Sequence, residues 1–201
     1  MFRTRGRTRW KLFSILMLPS LAASAALLVA VAEGALAASF LISNQKFKVT
    51  AERIEVTGAI QYGAFDKRYD GKIVPVTVAG AAHSTSYGVC QSTVQHIPLI
   101  GKVTVRVTAK RVTTHDSYSD VIQAHQGTVT TKNSRTGIAA GVATKGPGVR
   151  PGDNVAPTSA AQESDSSVVT DSRSIVVATS ARVTQTSGSS TRIYKGVNEC
   201  F

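Results

Sequence analysis

From residue 46 onward, apolar and polar side chains alternate in runs of period two. Val103, Val105, Val107 and Ala109 alternate with Thr104, Arg106, Thr108 and Lys110, a pattern that puts one face on a core and the other in water and so predicts a strand. Phe47, Val49 and Ala51 repeat it between Lys46, Lys48 and Thr50, but Ile54 and Val56 fall on the opposite parity. A bulge or bend near Glu52-Arg53 would restore the facing. Val74, Val76 and Val78 predict another strand, placed at an edge by Pro75, which has no N–H for a ladder. Ile175, Val177, Ala181 and Val183 share one face across a run rich in Ser and Thr. Helical stripes are absent after the first 37 residues, and the turn signals Tyr69-Asp70-Gly71, Gln126-Gly127 and Ser187-Gly188 separate the strands. The expected fold class is all-β, an antiparallel two-sheet sandwich after an N-terminal hydrophobic helix. A β-solenoid is the alternative, although echoes such as Arg-Val-Thr at 106, 111 and 182 keep no fixed period.

The alternation lapses over residues 141–167, where three of the chain's six prolines gather with four glycines. A long surface loop is expected there. Lys145-Gly146-Pro147-Gly148 resembles a phosphate cradle only in its glycines, lacks Gly-Lys-Ser/Thr, and reads as a turn.

The first 37 residues differ from the rest. Arg3, Arg5, Arg7, Arg9 and Lys11 precede an uncharged run over residues 12–32, the arrangement of an export signal. The run is close to the ~20 residues that span a bilayer, which favours an anchor. Pro19, the weakly apolar stretch 22–26, the helix break at Glu33-Gly34 and the small-x-small triplet Ala35-Leu36-Ala37 favour a peptidase cut between Ala37 and Ala38. Residues 1–37 are therefore read as a signal peptide, with an uncleaved membrane anchor as the alternative, and residues 38–201 as a single extracytoplasmic β domain. Export by the general secretory route follows, since no adjacent Arg pair supports the twin-arginine route. The product is expected to be secreted, or held at the membrane by an uncleaved leader.

Charge changes the picture little. Of the formal +11, five bases and one acid precede residue 38, leaving +7 dispersed over the remainder. No run of five like charges occurs and aromatics make up 6%, so nucleic acid is not expected as a partner. An anionic envelope polymer or an envelope membrane protein fits such a surface better, and a lipid is a further candidate partner. Cys90 and Cys200 are the only thiols, and an exported chain with an even count oxidises them. The one intrachain pairing, Cys90–Cys200, would tie down a terminus that otherwise frays.

A search for chemistry returns no catalytic, cofactor-binding or metal motif. Gly-x-Ser-x-Gly is absent, His83-Ser84 and His115-Asp116 are sequence neighbours that a strand points to opposite faces, and His115, Asp116 and Asp120 lack ligand spacing for a metal. Scattered acids offer no catalytic pair. No cofactor is expected, and the enzyme reading leans to no.

Arg7-Thr8-Arg9-Trp10-Lys11, "GALAASF" at 34–40, "FKVTA" at 47–51, "CQS" at 90–92, "KGPG" at 145–148 and "YKGVNECF" at 194–201 together resemble a family of uncharacterised exported actinobacterial proteins of about this length. The resemblance implies an envelope location and a membrane-protein neighbour. Its members are sometimes labelled cholesterol esterase, which implies a lipid ester and a serine nucleophile, and no catalytic position in this chain matches one. The expected function is a non-catalytic structural or binding role in the cell envelope, and the alternative is lipid handling, as a carrier or an esterase.

Overall fold

The computed structural model describes residues 46–67, 71–97, 100–156 and 158–201, with Trp10, Met17 and Pro19 besides. The expected leader helix as a whole and the cleavage residues Ala35, Ala37 and Ala38 lie outside the described residues. The chain divides into two units, Met1–Leu41 and Ile42–Phe201. The described part of the second is almost wholly strand: β1 (Phe47–Lys67), β2 (Ile73–Ile97), β3 (Gly101–His125), β4 (Thr128–Lys132), β5 (Arg135–Ala139), β6 (Ala160–Ser187) and β7 (Ser190–Lys195).

The all-β antiparallel fold expected from the sequence is what the chain adopts. Its strands are hydrogen-bonded into one sheet, in the order β4-β6-β1-β2-β3-β7, rather than divided between two. Every pairing is antiparallel, whereas a solenoid stacks its strands in parallel. β6 explains the single sheet. One of its edges pairs with β1 over Ala161–Val176, and it pairs in turn with β5, β4 and β3, the last over Arg173–Ser187. A two-residue break at Gln126-Gly127, where the Gly127 N–H donates to the Thr170 carbonyl at 2.9 Å, lets β4 continue along β6 where β3 stops.

β2 and β3 run 25 residues each and β6 28, against a usual ~5–6. Strands this long must bend, and they do so at two lines across the sheet. The first joins Asp171, Glu52, Gly88, Lys110 and Gly188, which the flanking register sets opposite one another. The second joins Asp165, Gly58, Ala82, Asp116 and Arg182. Left-handed residues occur on alternate strands of each line, with φ of 50° at Asp171, 59° at Gly88 and 63° at Gly188, then 63° at Gly58 and 45° at Asp116. A left-handed residue within a strand turns two successive side chains to the same side, so the facing reverses beyond it. The parity change expected near Glu52-Arg53 is the β1 member of the first line.

Pro75 fits its expected edge position, because β3 pairs with β2 only from Thr77 onward. The loop expected over 141–167 is shorter at its C-terminal side, since β6 begins at Ala160. Residues 161–167 are Ser-rich and polar, but β1 and the β4–β5 segment lie on their two edges and satisfy the backbone. The shared face expected for Ile175, Val177, Ala181 and Val183 does not survive, because register shifts at Asp120–Gln123 and the second bend line reverse facing within it.

Two clasps cover the outer side of the sheet. At one end, Ala140, Ala143, Val149 and Val155 from the loop between β5 and β6 pack on Ile60, Tyr62, Val78 and Tyr118, forming the hydrophobic core. At the other end the C-terminal tail crosses β3, β2 and β1. Thr104, expected to face water, is fully buried there. Its hydroxyl donates to the Gly196 carbonyl at 2.7 Å and accepts from the Asn198 N–H at 2.9 Å. The Cys200 N–H donates to Ser92 Oγ at 3.0 Å, and Lys48 Nζ reaches Glu199 at 3.0 Å and the Phe201 carbonyl at 2.7 Å. Cys90 and Cys200 form the expected disulfide beneath it.

Candidate functional site

The side of the sheet opposite the clasps borders a partly open space of about 660 Å³. On β1 its walls are Val49 and Ala51, then Ile54 and Val56, then Ala59 and Gln61, a sequence that changes parity at each bend line. β2, β3 and β6 follow the same rule: Val89 gives way to Ser86 and Ser84 and then to Ala81, and Ala109 to Val112 and Thr114 and then to Ser117. The bends therefore keep one continuous inner surface along strands that would otherwise expose alternate faces. At ~3.3 Å per residue the wall from Val49 to Gln61 covers up to about 40 Å of strand. A space so long with so little volume is a narrow channel.

Its wall mixes Val, Ile and Ala side chains with about as many Ser, Thr and Gln. Ser84 Oγ and Thr114 Oγ1 lie 3.0 Å apart, and Thr114 Oγ1 in turn donates to Ser117 Oγ at 2.9 Å, so several hydroxyls are already partnered. Among the described Asp, Glu, His, Lys and Arg residues only Glu163 borders the wall, and since its neighbours Gln162 and Ser164 face the channel, its own side chain turns to the loop on the outer side. That carboxylate is taken: Oε1 accepts from Arg135 Nε at 2.7 Å and from Arg135 Nη2, and Oε2 accepts the N–H groups of Thr144 and Lys145 at 2.7 and 2.8 Å. Desolvation pushes the Glu163 carboxyl up, but the Lys145 N–H, the Arg135 guanidinium and the Thr144 N–H outweigh it and hold the group below its ordinary range. The backbone N–H of Lys145, at the head of Lys-Gly-Pro-Gly, does bind an anion, and the anion is internal.

A second buried carboxylate fixes the other part of the same loop. Arg150 Nη2 donates to Asp120 Oδ2 at 3.0 Å and Arg150 Nε to Asp153 Oδ1 at 2.7 Å, while the Tyr62 hydroxyl donates to Asp153 Oδ2 at 2.6 Å and accepts the Arg150 N–H at 2.9 Å. Asp120 is 1% exposed and its Oδ1 has no hydrogen-bond partner. Burial raises the Asp120 carboxyl above the ordinary range despite Arg150. Burial and the bond to Asp153 likewise raise the Tyr62 hydroxyl.

The other residues singled out from the sequence are spread apart. His83 and His115 come together across β2 and β3 on the outer side, with Nδ1 atoms 3.3 Å apart. None of His83, His96, His115 and His125 borders the channel. Asp116 pairs with Arg182 at 2.7 Å and Asp120 with Arg150, so neither joins His115 in a ligand set, and no group of three or more His, Cys, Asp or Glu suited to a metal occurs among the described residues. Sequence reasoning missed the channel because its wall is read from five strands in register, and single-strand alternation carries no trace of that register.

The chain belongs to a family of unknown function, DUF6230, which matches residues 43–201. No curated protein and no solved structure matches the chain.

Proposed function

We propose that this chain is an exported, non-catalytic binding domain whose channel holds an uncharged, largely apolar, elongated molecule of lipid-like chemistry, as a carrier or an envelope-bound receptor. The observation that carries the reading is the channel wall itself, with a volume of about 660 Å³ inside the ~300–1,000 Å³ of small-molecule sites and lined, among the described residues, by no charged side chain except Glu163, whose carboxylate turns away to Arg135 and two N–H groups of the outer loop. A charged ligand would enter without a counter-charge, at a large desolvation cost. An apolar chain bearing a hydroxyl or amide meets both the Val and Ile side chains and the Ser and Thr hydroxyls. The basic, uncharged-run leader and the Cys90–Cys200 bond support an extracytoplasmic setting.

Esterase chemistry is the less favoured form of lipid handling. The channel is rich in serine, but a serine nucleophile needs an adjacent base, and no histidine borders the channel. Native mass spectrometry of protein taken gently from a cell envelope tests the proposal. A bound neutral lipid, lost in Ser86→Phe, which plugs the channel midway, is expected. An empty wild-type protein that also fails to take up a neutral hydrophobic dye would refute it.

A further inference from the structure

The outer side of the sheet carries a second site, separate from the channel. His83 on β2 and His115 on β3 are direct cross-strand partners. Both rings are partly exposed, their centroids lie 4.5 Å apart, and their planes are inclined by 54°. The facing Nδ1 atoms are 3.3 Å apart. That is the reach of one long hydrogen bond between the two rings. It matches the edge of a tetrahedron around a metal ion, because two bonds of ~2.0–2.1 Å at the tetrahedral angle set their nitrogens about 3.3–3.4 Å apart.

The second bend line makes the pair possible. Thr114 and Ser117 both face the channel, so His115 and Asp116 between them both turn outward, and Ala82 and His83 do the same between Ala81 and Ser84. The flanking positions in the same cross-strand row are Thr57 and Val183, both uncharged. The nearest fixed charge in sequence, Asp116, is neutralised by Arg182 at 2.7 Å.

We propose that His83 and His115 together bind one divalent transition-metal ion through their Nδ1 atoms, with water filling the remaining positions. Two imidazoles and no carboxylate or thiolate select borderline ions over the hard Ca²⁺ and Mg²⁺; the tetrahedral spacing suits Zn²⁺, and Cu²⁺, higher in the affinity order for nitrogen ligands, serves as the paramagnetic probe of the same pair.

The test is calorimetric titration of the oxidised full-length protein with Cu²⁺ in a non-coordinating buffer. One ion per chain is expected, with affinity falling by more than the roughly tenfold cost of disturbing a ligand's surroundings in His83→Ala and in His115→Ala. The His96→Ala/His125→Ala double variant should bind like wild type. Paramagnetic broadening of NMR signals by Cu²⁺ should centre on His83 and His115 and reach Thr57 and Val183. The more conservative His83→Asn and His115→Asn variants, checked for an unchanged urea midpoint, separate ligand loss from misfolding. Wild-type binding no tighter than that of the His83→Asn/His115→Asn double variant, or broadening centred elsewhere, would overturn the proposal.

Discussion

Replacing Cys90 and Cys200 by serine, or reducing their bond, removes a link across 110 residues of sequence. On the chain-entropy relation a closed loop of that length lowers the entropy of the unfolded chain enough to stabilise the fold by about 4–5 kcal/mol. The folded state loses little by comparison. The tail keeps its bonds from Cys200 N to Ser92, from Asn198 N to Thr104, from Thr104 to Gly196, and from Lys48 to Glu199 and Phe201, so the native ends stay close without the link. The expected loss is therefore close to the full entropic value and acts through the unfolded state. Urea unfolding followed by tyrosine fluorescence and circular dichroism, with and without reductant, measures it. A fall of about 4–5 kcal/mol, or roughly 10–20 °C in Tm for a domain of this size, is expected with an unchanged native spectrum. A loss below about 1 kcal/mol would refute the reasoning, because it would mean that the unfolded chain already holds its ends together. A second check separates the clasp from the bond. Glu199→Ala in the oxidised protein removes only the partly exposed Lys48 pair and should cost less than about 1 kcal/mol.

Glu163→Gln should free the loop between β5 and β6, since one side chain holds Arg135, Thr144 and Lys145. About 2–3 kcal/mol is expected, short of a fully buried pair because Arg135 is half exposed, and limited proteolysis within residues 141–156 should accelerate. The folded-state depression of the Glu163 carboxyl means its contribution is present above its ordinary value of 4.5 and is lost as pH falls through the lower folded value. Asp120 acts with the opposite sign: its raised carboxyl holds its proton longer in the folded state, so its contribution is greatest below its ordinary value of 3.8 and declines as pH rises above it. Urea midpoints across acidic pH should fall less on the way up in Asp120→Asn than in wild type. Gly58→Ala should destabilise by about 1 kcal/mol or more, because φ is +63° and the new Cβ would sit 3.0 Å from Ala82 Cβ and 3.2 Å from Gly146 Cα; the same urea assay checks it.

The strand at 103–110, the parity change near 52–53, the edge character of Pro75 and the pairing of the two cysteines were all legible in the sequence, because each depends on local alternation or on a count of two. What escaped it depends on register. Thr104 and Ser92 look like solvent-facing polar residues until the tail, some 100 residues away, is laid over them. Ser84, Ser86 and Thr114 sit in runs where both faces are polar, so no alternation marks which side is inward. His83 and His115 lie in separate dipeptides whose own neighbours are irrelevant to them, and only the pairing of β2 with β3 brings them together. The loop's end was misplaced for the same reason, since the strand character of 161–167 comes from its partners rather than its composition.

The two bend lines also bear on how this chain can change over time. On either side of a line, odd and even positions exchange roles, and they do so together at Glu52, Gly88, Lys110 and Asp171, and again at Gly58, Ala82, Asp116 and Asp165. A map of tolerated substitutions along any one strand would thus show a two-residue rhythm that slips phase twice, at places aligned from strand to strand. A single-residue deletion on one strand at such a line would throw that strand's rhythm out of step with its neighbours, whereas removing the line from all four strands at once would keep the rhythm coherent and produce a shorter protein with the same inner wall.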